Sequence, residues 1–390
     1  MNSPCKVLVV HNKYRQRGGE DVVVDAEVRL LRERGHRVET YSRDNDSIED
    51  LPRTTVALDT LWSSRTMVEL DRRIVAFKPD VIHIHNTFPL VSPSLYWAAA
   101  RKNVPVVQTL HNYRLLCPQA MLLRNNHVCE DCLGHSPWRS VVRRCYRDSA
   151  VQSAVLAGML VLHRAIGTYD YKVTRYIALN RFSRDKFVEG GLPADRISIK
   201  PNFVDIPERP QTARSGALFV GRLSAEKGVA LLLQALDRLP GLDIDVVGTG
   251  PEMGQVDSHP RANGLGMRHS AEVMERMHRA AYLVMPSIWY ETFALVVLEA
   301  FACGLPVIAS RLGSMQEFIE DGRTGLLFQS GSAEDLAAKI AWAEGHPDEM
   351  ARMGRNARAE YVAKYTPNRN YEQLMSIYES ALSGRRMAQT

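Results

Sequence analysis

Twice along this chain a short apolar run passes into a glycine-containing loop and then into a helical pattern, an order that few folds accommodate. Residues 6–11 (KVLVVH) form a continuous apolar strand pattern. Gly18, Gly19 and Glu20 follow as a loop, and Val23, Ala26, Leu30 and Leu31 then recur at helical spacing. Further strand patterns lie at 36–41 (HRVETY), 80–85 (DVIHIH), 104–110 (VPVVQTL), 175–179 (RYIAL) and 197–203 (ISIKPNF). Helical patterns separate the first of these, so the first half predicts a parallel sheet wrapped by helices. Residues 201–210 (PNFVDIPERP) carry three prolines and few good helix formers, and read as a linker. Beyond it the order restarts with ALFV at 217–220, the loop GRLSAEKG, a helix through Leu231, Leu232, Ala235 and Leu236, and a strand at 244–247 that ends in GTGP.

The expectation is an α/β protein of two similarly built Rossmann-like domains. The first spans 1–200 with a cysteine-rich insertion at 117–145, and 201–210 links it to a second at 211–370. An amphipathic terminal helix, 371–390, is placed to pack back on the first domain. Ligands of open α/β sheets gather beyond the carboxyl ends of the strands, so the two edges are expected to face each other across a cleft. A chain of 390 residues, 45% hydrophobic and 24% charged, is long enough for two cores of ordinary soluble composition. The net charge of +5 suits an anionic small substrate or a membrane surface and is too weak to argue for nucleic acid. The first residues pass into a strand within a few positions, so the expected location is cytoplasmic. The longest apolar stretch, 154–162 (AVLAGMLVL), is well short of the ~20 residues of a membrane span and reads as a core helix or an interfacial one.

The chemistry concentrates in residues 290–306, YETFALVVLEAFACGLP. Glu291 precedes a predicted helix over 293–302 and Glu299 lies within it, among apolar neighbours that argue for burial. With Phe293, Ala294 and Leu295 as the first turn, their N–H groups form an anion site suited to a diphosphate. At ~1.5 Å rise per residue the two carboxylates stand on the order of 10 Å apart, too far to share a proton. They suit a sugar on one side of a diphosphate and a ribose on the other. Arg222 and Lys227, in the loop after ALFV, could neutralise a leaving diphosphate. Gly18 and Gly19, and Gly248 and Gly250 in VGTGP, offer bare backbone to a phosphate or sugar. Met253 stands where a dinucleotide fingerprint needs its third glycine, which removes the nicotinamide reading.

His111 follows the 104–110 strand, where it could donate a hydrogen bond to a substrate hydroxyl or serve a structural partner. His83 and His85 point to one face of their strand and read as supporting or core residues. The pairs Asp44/Asp46 and Asp243/Asp245 are satisfied as turn and strand-start residues, so transfer is expected to be metal-independent. Cys117, Cys129, Cys132 and Cys145 form either a structural zinc site or four reduced thiols, stapling a loop rather than making a catalytic centre.

Taken in order, the GGE loop, TLHNYRLLCP around His111, KPNFVD, FVGRLSAEKG, VGTGP, the Glu291/Glu299 spacing, ACGLPVIAS and EDGRTGLLF resemble glycosyltransferase family 4, the retaining nucleotide-sugar transferases of GT-B fold. The resemblance implies a metal-independent enzyme that moves a hexose from a nucleotide-diphosphate sugar to a saccharide or lipid-linked saccharide acceptor in surface polysaccharide synthesis. It needs no cofactor for transfer and implies a peripheral membrane contact. By position it implies Arg222 and Lys227 on the donor diphosphate, Glu291 on the transferred sugar and Glu299 on the ribose. It likewise implies amides of 293–295 on the phosphates, His111 near the reacting centre, and Gly18 and Gly19 by phosphate and acceptor. Family members often carry glycine where this chain has Thr292 and Ala294. A sugar phosphorylase, an epimerase of the same shape and a non-catalytic nucleotide-sugar binder remain as alternatives.

Overall fold

The computed structural model describes residues 4–15, 18–48, 51–210 and 213–387. The chain folds into two compact units, one of Met1–Leu122, Glu130–Asn202 and Asn370–Thr390, the other of Leu123–Cys129 and Phe203–Arg369. The expected start of the second domain, at 211, lies outside the described residues.

The first unit is built on β1 (Lys6–Lys13), β2 (Arg37–Asp44), β3 (Val81–Asn86) and β4 (Val106–Leu110). A short antiparallel hairpin, β5 (Leu123–Arg124) and β6 (His127–Val128), interrupts the sequence before β7 (Arg175–Ala178) and β8 (Ile197–Ile199). The parallel sheet has the order β2-β1-β3-β4-β7-β8. The second unit's sheet uses β9 (Ala217–Val220), β10 (Ile244–Val247), β11 (Ala262–Gly266), β12 (Tyr282–Met285), β13 (Val307–Ser310) and β14 (Gly325–Phe328), in the order β11-β10-β9-β12-β13-β14. In both sheets the chain runs outward from its first strand in one direction and then returns to the other side. The resulting switch points lie between β1 and β3 and between β9 and β12, and the loops there diverge and leave a crevice at the strands' carboxyl ends.

Helix α1 (Gly19–Glu33) buries Val23, Leu30 and Leu31 of the stripe expected from its spacing, and Val24 and Val28 besides, while Ala26 is only partly buried. Glu20 therefore stands in the first turn of the helix rather than in a loop. Val7 and Val9 of β1 pack with Val24, Val28 and Leu31 of α1, and with Leu374, Met375, Ile377, Tyr378 and Ala381 of the terminal helix Pro367–Met387. The end of the chain thus completes the core in which it begins.

Several elements differ from the sequence reading. Helices Arg53–Leu61 and Ser64–Phe77 fill the segment that has little pattern in sequence, and β11, β13 and β14 are further strands. β4 begins at Val106 and β8 ends at Ile199, because Pro105 and Pro201 carry no N–H for the ladder. The helix expected over 293–302 spans Leu295–Ala302. Ala294 has extended backbone (φ −91°, ψ 96°) and acts as the N-cap, so Phe293 and Ala294 precede the first turn.

Leu374 is fully buried. Leu374→Ala should therefore cost about 2–5 kcal/mol, read as a lower urea midpoint for the first unit, although the residue lies near the end of the chain.

Candidate active site

In the second unit, β9 ends at Val220 and the turn of Gly221 and Arg222 leads to Lys227, while β12 ends at Met285 and leads to Ser287, Trp289 and Glu291. These two strands flank the switch point. Glu291 is buried, and three donors converge on its Oε1: Lys227 Nζ at 2.7 Å, Ser287 Oγ at 2.9 Å and Trp289 Nε1 at 2.9 Å. Ser314 Oγ donates to the Glu291 carbonyl at 2.6 Å and pins the loop from below. A buried carboxylate held by a cation and two neutral donors is a rigid acceptor, and none of these bonds uses Oε2. Lys227, expected on a phosphate, is thus held by the carboxylate expected on a sugar. Arg222, earlier in the same loop, is exposed.

Two glycines set the shape of this edge. A Cβ on Gly248 (φ +140°) would stand 1.8 Å from the Gly221 carbonyl oxygen, and one on Gly250 would stand 2.2 Å from that of Leu223. Glycine at both positions lets the loop after β10 lie directly on the loop that carries Arg222. This backbone contact gives both glycines of the VGTGP motif a packing role.

Glu299 lies on helix Leu295–Ala302 and is half-buried. Burial alone pushes its carboxyl above the ordinary value, with no cation offsetting it. At the start of that helix Val297 N–H bonds the Ala294 carbonyl, and no side chain caps the turn. The Phe293 ring meets Phe318 edge-on at 4.8 Å between centroids.

In the first unit the start of α1 is already occupied by the chain's own acids. Gly18 N–H donates to Asp21 Oδ2 at 2.9 Å, and Tyr14 Oη donates to Glu20 Oε2 at 2.9 Å. Burial pushes the Glu20 carboxyl up to about 8. The Gly18 amide, expected near a phosphate, is therefore bonded to a carboxylate. His11 Nε2 donates to Asp21 Oδ1 at 2.8 Å. A cavity of about 550 Å³ opens here, lined by Lys13, Tyr14, Asp21, Asp25, Arg29 and Ser42 among others.

Behind His111 lies a buried polar network that the sequence reading did not identify. Lys200 Nζ donates to Glu27 Oε2 at 2.9 Å and to Asn370 Oδ1 at 3.1 Å, with Lys200 and Glu27 each 1% exposed. Glu27 Oε1 faces His83 Nδ1 at 3.0 Å and His85 Nε2 at 3.4 Å. His83 also meets Tyr378 Oη and Thr109 Oγ1, each at 2.8 Å, and His85 Nδ1 lies 2.9 Å from His111 Nε2. Burial pushes the Glu27 carboxyl up, but the Lys200 ammonium and the nearby His83 and His85 hold it well below the usual range. One signal was available in the sequence: Glu27 falls four residues after Val23 and four before Leu31, on the apolar stripe of α1.

Among the described residues, Glu27, His83 and His85 are the one set of three or more His, Cys or carboxylate ligand atoms lying within 4.8 Å of one another. The Lys200 ammonium holds the other oxygen of the same carboxylate and the Tyr378 hydroxyl meets His83 Nδ1, whereas Glu27 Oε1 and His85 Nε2 have no hydrogen-bond partner. Cys117, Cys129, Cys132 and Cys145 form no such set; Cys117 and Cys132 are buried, Cys129 and Cys145 partly so. Asp245 pairs with Arg276 at 2.7 Å, and Asp44 accepts from the Asp46 amide at 3.0 Å.

The raised Glu299 carboxyl has a signed consequence. The folded chain holds this proton more tightly than the unfolded chain, so the group's contribution to stability falls as pH rises past its ordinary value of 4.5. Glu299→Gln removes that penalty. Without ligand the variant should gain stability over the native chain at neutral pH and gain none below pH 4.5, compared by urea midpoints at the two pH values.

Residues 17–208 match the family described as Glycosyltransferase Family 4, and residues 207–360 match Glycosyl transferases group 1. The chain is 28% identical over 402 residues to the D-inositol 3-phosphate glycosyltransferase of Mycolicibacterium smegmatis, covering 94% of this chain and 87% of that one. It is 26% identical over 327 residues to the glycogen synthase of Mycobacterium tuberculosis, covering 80% and 72%. Its fold is similar to sucrose-phosphate synthase from Thermosynechococcus elongatus, with a TM-score of 0.73, 17% identity and coverage of 97% of this chain and 100% of that one. It is also similar to Anabaena HepE in complex with UDP-glucose, with a TM-score of 0.67, 18% identity and coverage of 96% and 100%. Two parallel Rossmann-like sheets, and family matches that together run from 17 to 360, lead to one conclusion: the chain is an enzyme of the GT-B fold and belongs to the glycosyltransferases of family 4.

Proposed function

We propose that the chain transfers a hexosyl residue from a nucleotide-diphosphate sugar to a hydroxyl of a saccharide or lipid-linked saccharide, with retention at the anomeric carbon and without a metal ion. The observation that carries this reading is the Lys227–Glu291 pair at the second sheet's switch point, with exposed Arg222 earlier in the same loop and Glu299 on the helix that follows. Glu291 Oε2 is the acceptor for hydroxyls of the transferred sugar, and Glu299 binds the ribose. Arg222, Lys227 and the amides at the start of helix Leu295–Ala302 take the diphosphate, whose developing charge they stabilise as the glycosidic bond breaks. These fixed cations supply the charge that a divalent ion supplies in other transferases. The acceptor oxygen attacks from the face that the diphosphate leaves, and a phosphate oxygen takes its proton. The UDP-glucose complex of the HepE relative supports a nucleotide-sugar donor.

The cavity beside His11 and Asp21 carries charges of both signs and hydroxyls, a lining suited to a polyhydroxylated acceptor. A membrane contact at residues 138–166 accompanies that acceptor. Trp138, Val142, Val151, Leu162 and Ile166 are exposed there, next to exposed Arg144 and Arg147. Three arginines of the segment are engaged otherwise, Arg139 by the Asp131 carbonyl at 3.0 Å, Arg143 by the Asp131 carboxylate and Arg164 by the Leu115 carbonyl at 2.7 Å. No helix among the described residues is long and apolar enough to cross a membrane, so the contact is peripheral.

Thermal melting against UDP-, GDP-, ADP- and dTDP-sugars tests the donor site. A ligand at 100 times its Kd adds about 2.7 kcal/mol; one nucleotide class should raise the midpoint of the native chain, and Glu299→Ala should lose that rise. Initial rates with that donor should fall about 10²–10³-fold in Arg222→Ala, with the effect in kcat rather than KM. Exchange of Arg144 and Arg147 for serine should weaken sedimentation with anionic vesicles, and unchanged binding would remove the membrane contact from the proposal.

A further inference from the structure

The cavity beside α1 is a trough with repeating walls. On the sheet side the parallel register sets Val9 beside Thr40, His11 beside Ser42 and Lys13 beside Asp44, and all six line the cavity. Alternate residues of a strand share a face, so these rungs follow one another at about 6.6 Å. Helix α1 supplies the other wall with Asp21, Asp25, Arg29 and Glu33. Each stands four residues, and so about 6 Å, after the last, and the wall from Asp21 to Glu33 runs about 18 Å. Because α1 starts where β1 ends, Asp21, Lys13 and Asp44 mark the carboxyl edge of the sheet, where ligands of such folds gather. Glu33 and the Val9/Thr40 rung lie away from that edge.

The lining is close to neutral along its length. Asp21, Asp25 and Asp44 accompany Lys13 at the edge, and Glu33 accompanies Arg29 and Arg32 further down, so neither end presents the single-sign field that holds a phosphate. The Gly18 amide is taken by Asp21 Oδ2 at 2.9 Å, and His11 Nε2 fixes the other Asp21 oxygen at 2.8 Å, so the edge end is rigid. Thr40, Ser42 and Asp44 are exposed, whereas Tyr41 is buried on the opposite face. Val9, Val24 and Val28 pack together where the helix meets the sheet and give the trough an apolar floor. A sugar ring has an apolar C–H face and a rim of hydroxyls, and an apolar floor with polar walls suits both. Linked rings repeat that demand, as the walls repeat their polar positions. The volume of about 550 Å³ falls within the ~300–1,000 Å³ of small-ligand sites, room for about two or three linked rings.

We propose that the acceptor is an already elongated saccharide, lying along this trough with its reacting hydroxyl at the carboxyl edge and its earlier-added sugars between α1 and β2. Resting on the proposed transfer reaction, the assignment adds to it the length of the acceptor and the place of the step: other glycosyl transfers come first and supply the saccharide. Thr40 and Arg29, away from the edge, set the selection for length.

The donor identified by melting is offered free glucose, galactose and mannose and the linear di-, tri- and tetrasaccharides of each, and nucleotide release above that in water is followed. kcat/KM should rise about tenfold from mono- to trisaccharide and level off at the tetrasaccharide, with the change in KM. Thr40→Trp puts a ring into the trough at an exposed strand position that tolerates aromatics. It should abolish the length dependence, while Thr40→Ser keeps it, and the donor-induced shift of the melting midpoint shows that the tryptophan variant is folded. Equal kcat/KM for mono- and trisaccharide, or native length dependence in Thr40→Trp, overturns the inference and leaves transfer standing. Saturation-transfer NMR with the trisaccharides alone reads the trough without turnover. Contacts from more than one ring, lost in Thr40→Trp, support it; contacts from one ring or none overturn it. If no nucleotide sugar shifts the midpoint and the multi-ring contacts are present, the transfer reading falls and the trough stands as a saccharide site.

Discussion

A carboxylate can stay ionised inside a protein only if cations and donors reach it, and the first unit is assembled around one that does. Glu27 comes from α1, Lys200 from the residue after β8, His83 and His85 from β3, and Asn370 and Tyr378 from the terminal helix. Such a pair adds little net stability over apolar residues of the same volume, whereas removing one partner costs about 3–5 kcal/mol. It therefore acts as a registration device. Segments far apart in sequence must all be in place before its charges are satisfied, and a compact state that misplaces any of them leaves a bare ion in the core.

The second unit solves a related problem with less burial. Its charges stand at the switch point, where Glu291 is fixed from three directions and Arg222 remains open to solvent. Close backbone approach at Gly248 and Gly250 holds the loop that bears the cations without spending side chains on it. One unit thus keeps its ionised groups in the interior, while the other brings them to the sheet edge.

Strands 217–220 and 244–247 were legible to the residue, the first as an uninterrupted apolar run between two glycines and the second as a β-branched run that stops at Gly248. β11 was not, since ANGLG has neither apolar character nor β-branching and exists as a strand only because β10 offers it a ladder. The Glu291/Glu299 spacing and the cations after β9 could be read from sequence, as local order fixes which loop follows which strand. The Lys227–Glu291 bond could not, because it joins residues 64 positions apart. Lys200 was missed for the same reason, since a lysine before a proline is an ordinary surface residue until its partner, 173 positions away, meets it; Glu27 betrays only its burial, by its place on the apolar stripe of α1.

The terminal helix has a consequence for how the molecule is made. Leu374, Met375 and Tyr378 belong to the core that Val7 and Val9 begin, and Asn370 helps hold Lys200. A chain emerging from the ribosome therefore has all of Phe203–Arg369 available to fold before the first unit receives its last layer. Domains usually mature in the order in which they are synthesised. Here the order is inverted, and the half that is translated first is finished last, its buried lysine waiting for an asparagine made only after the whole of Phe203–Arg369.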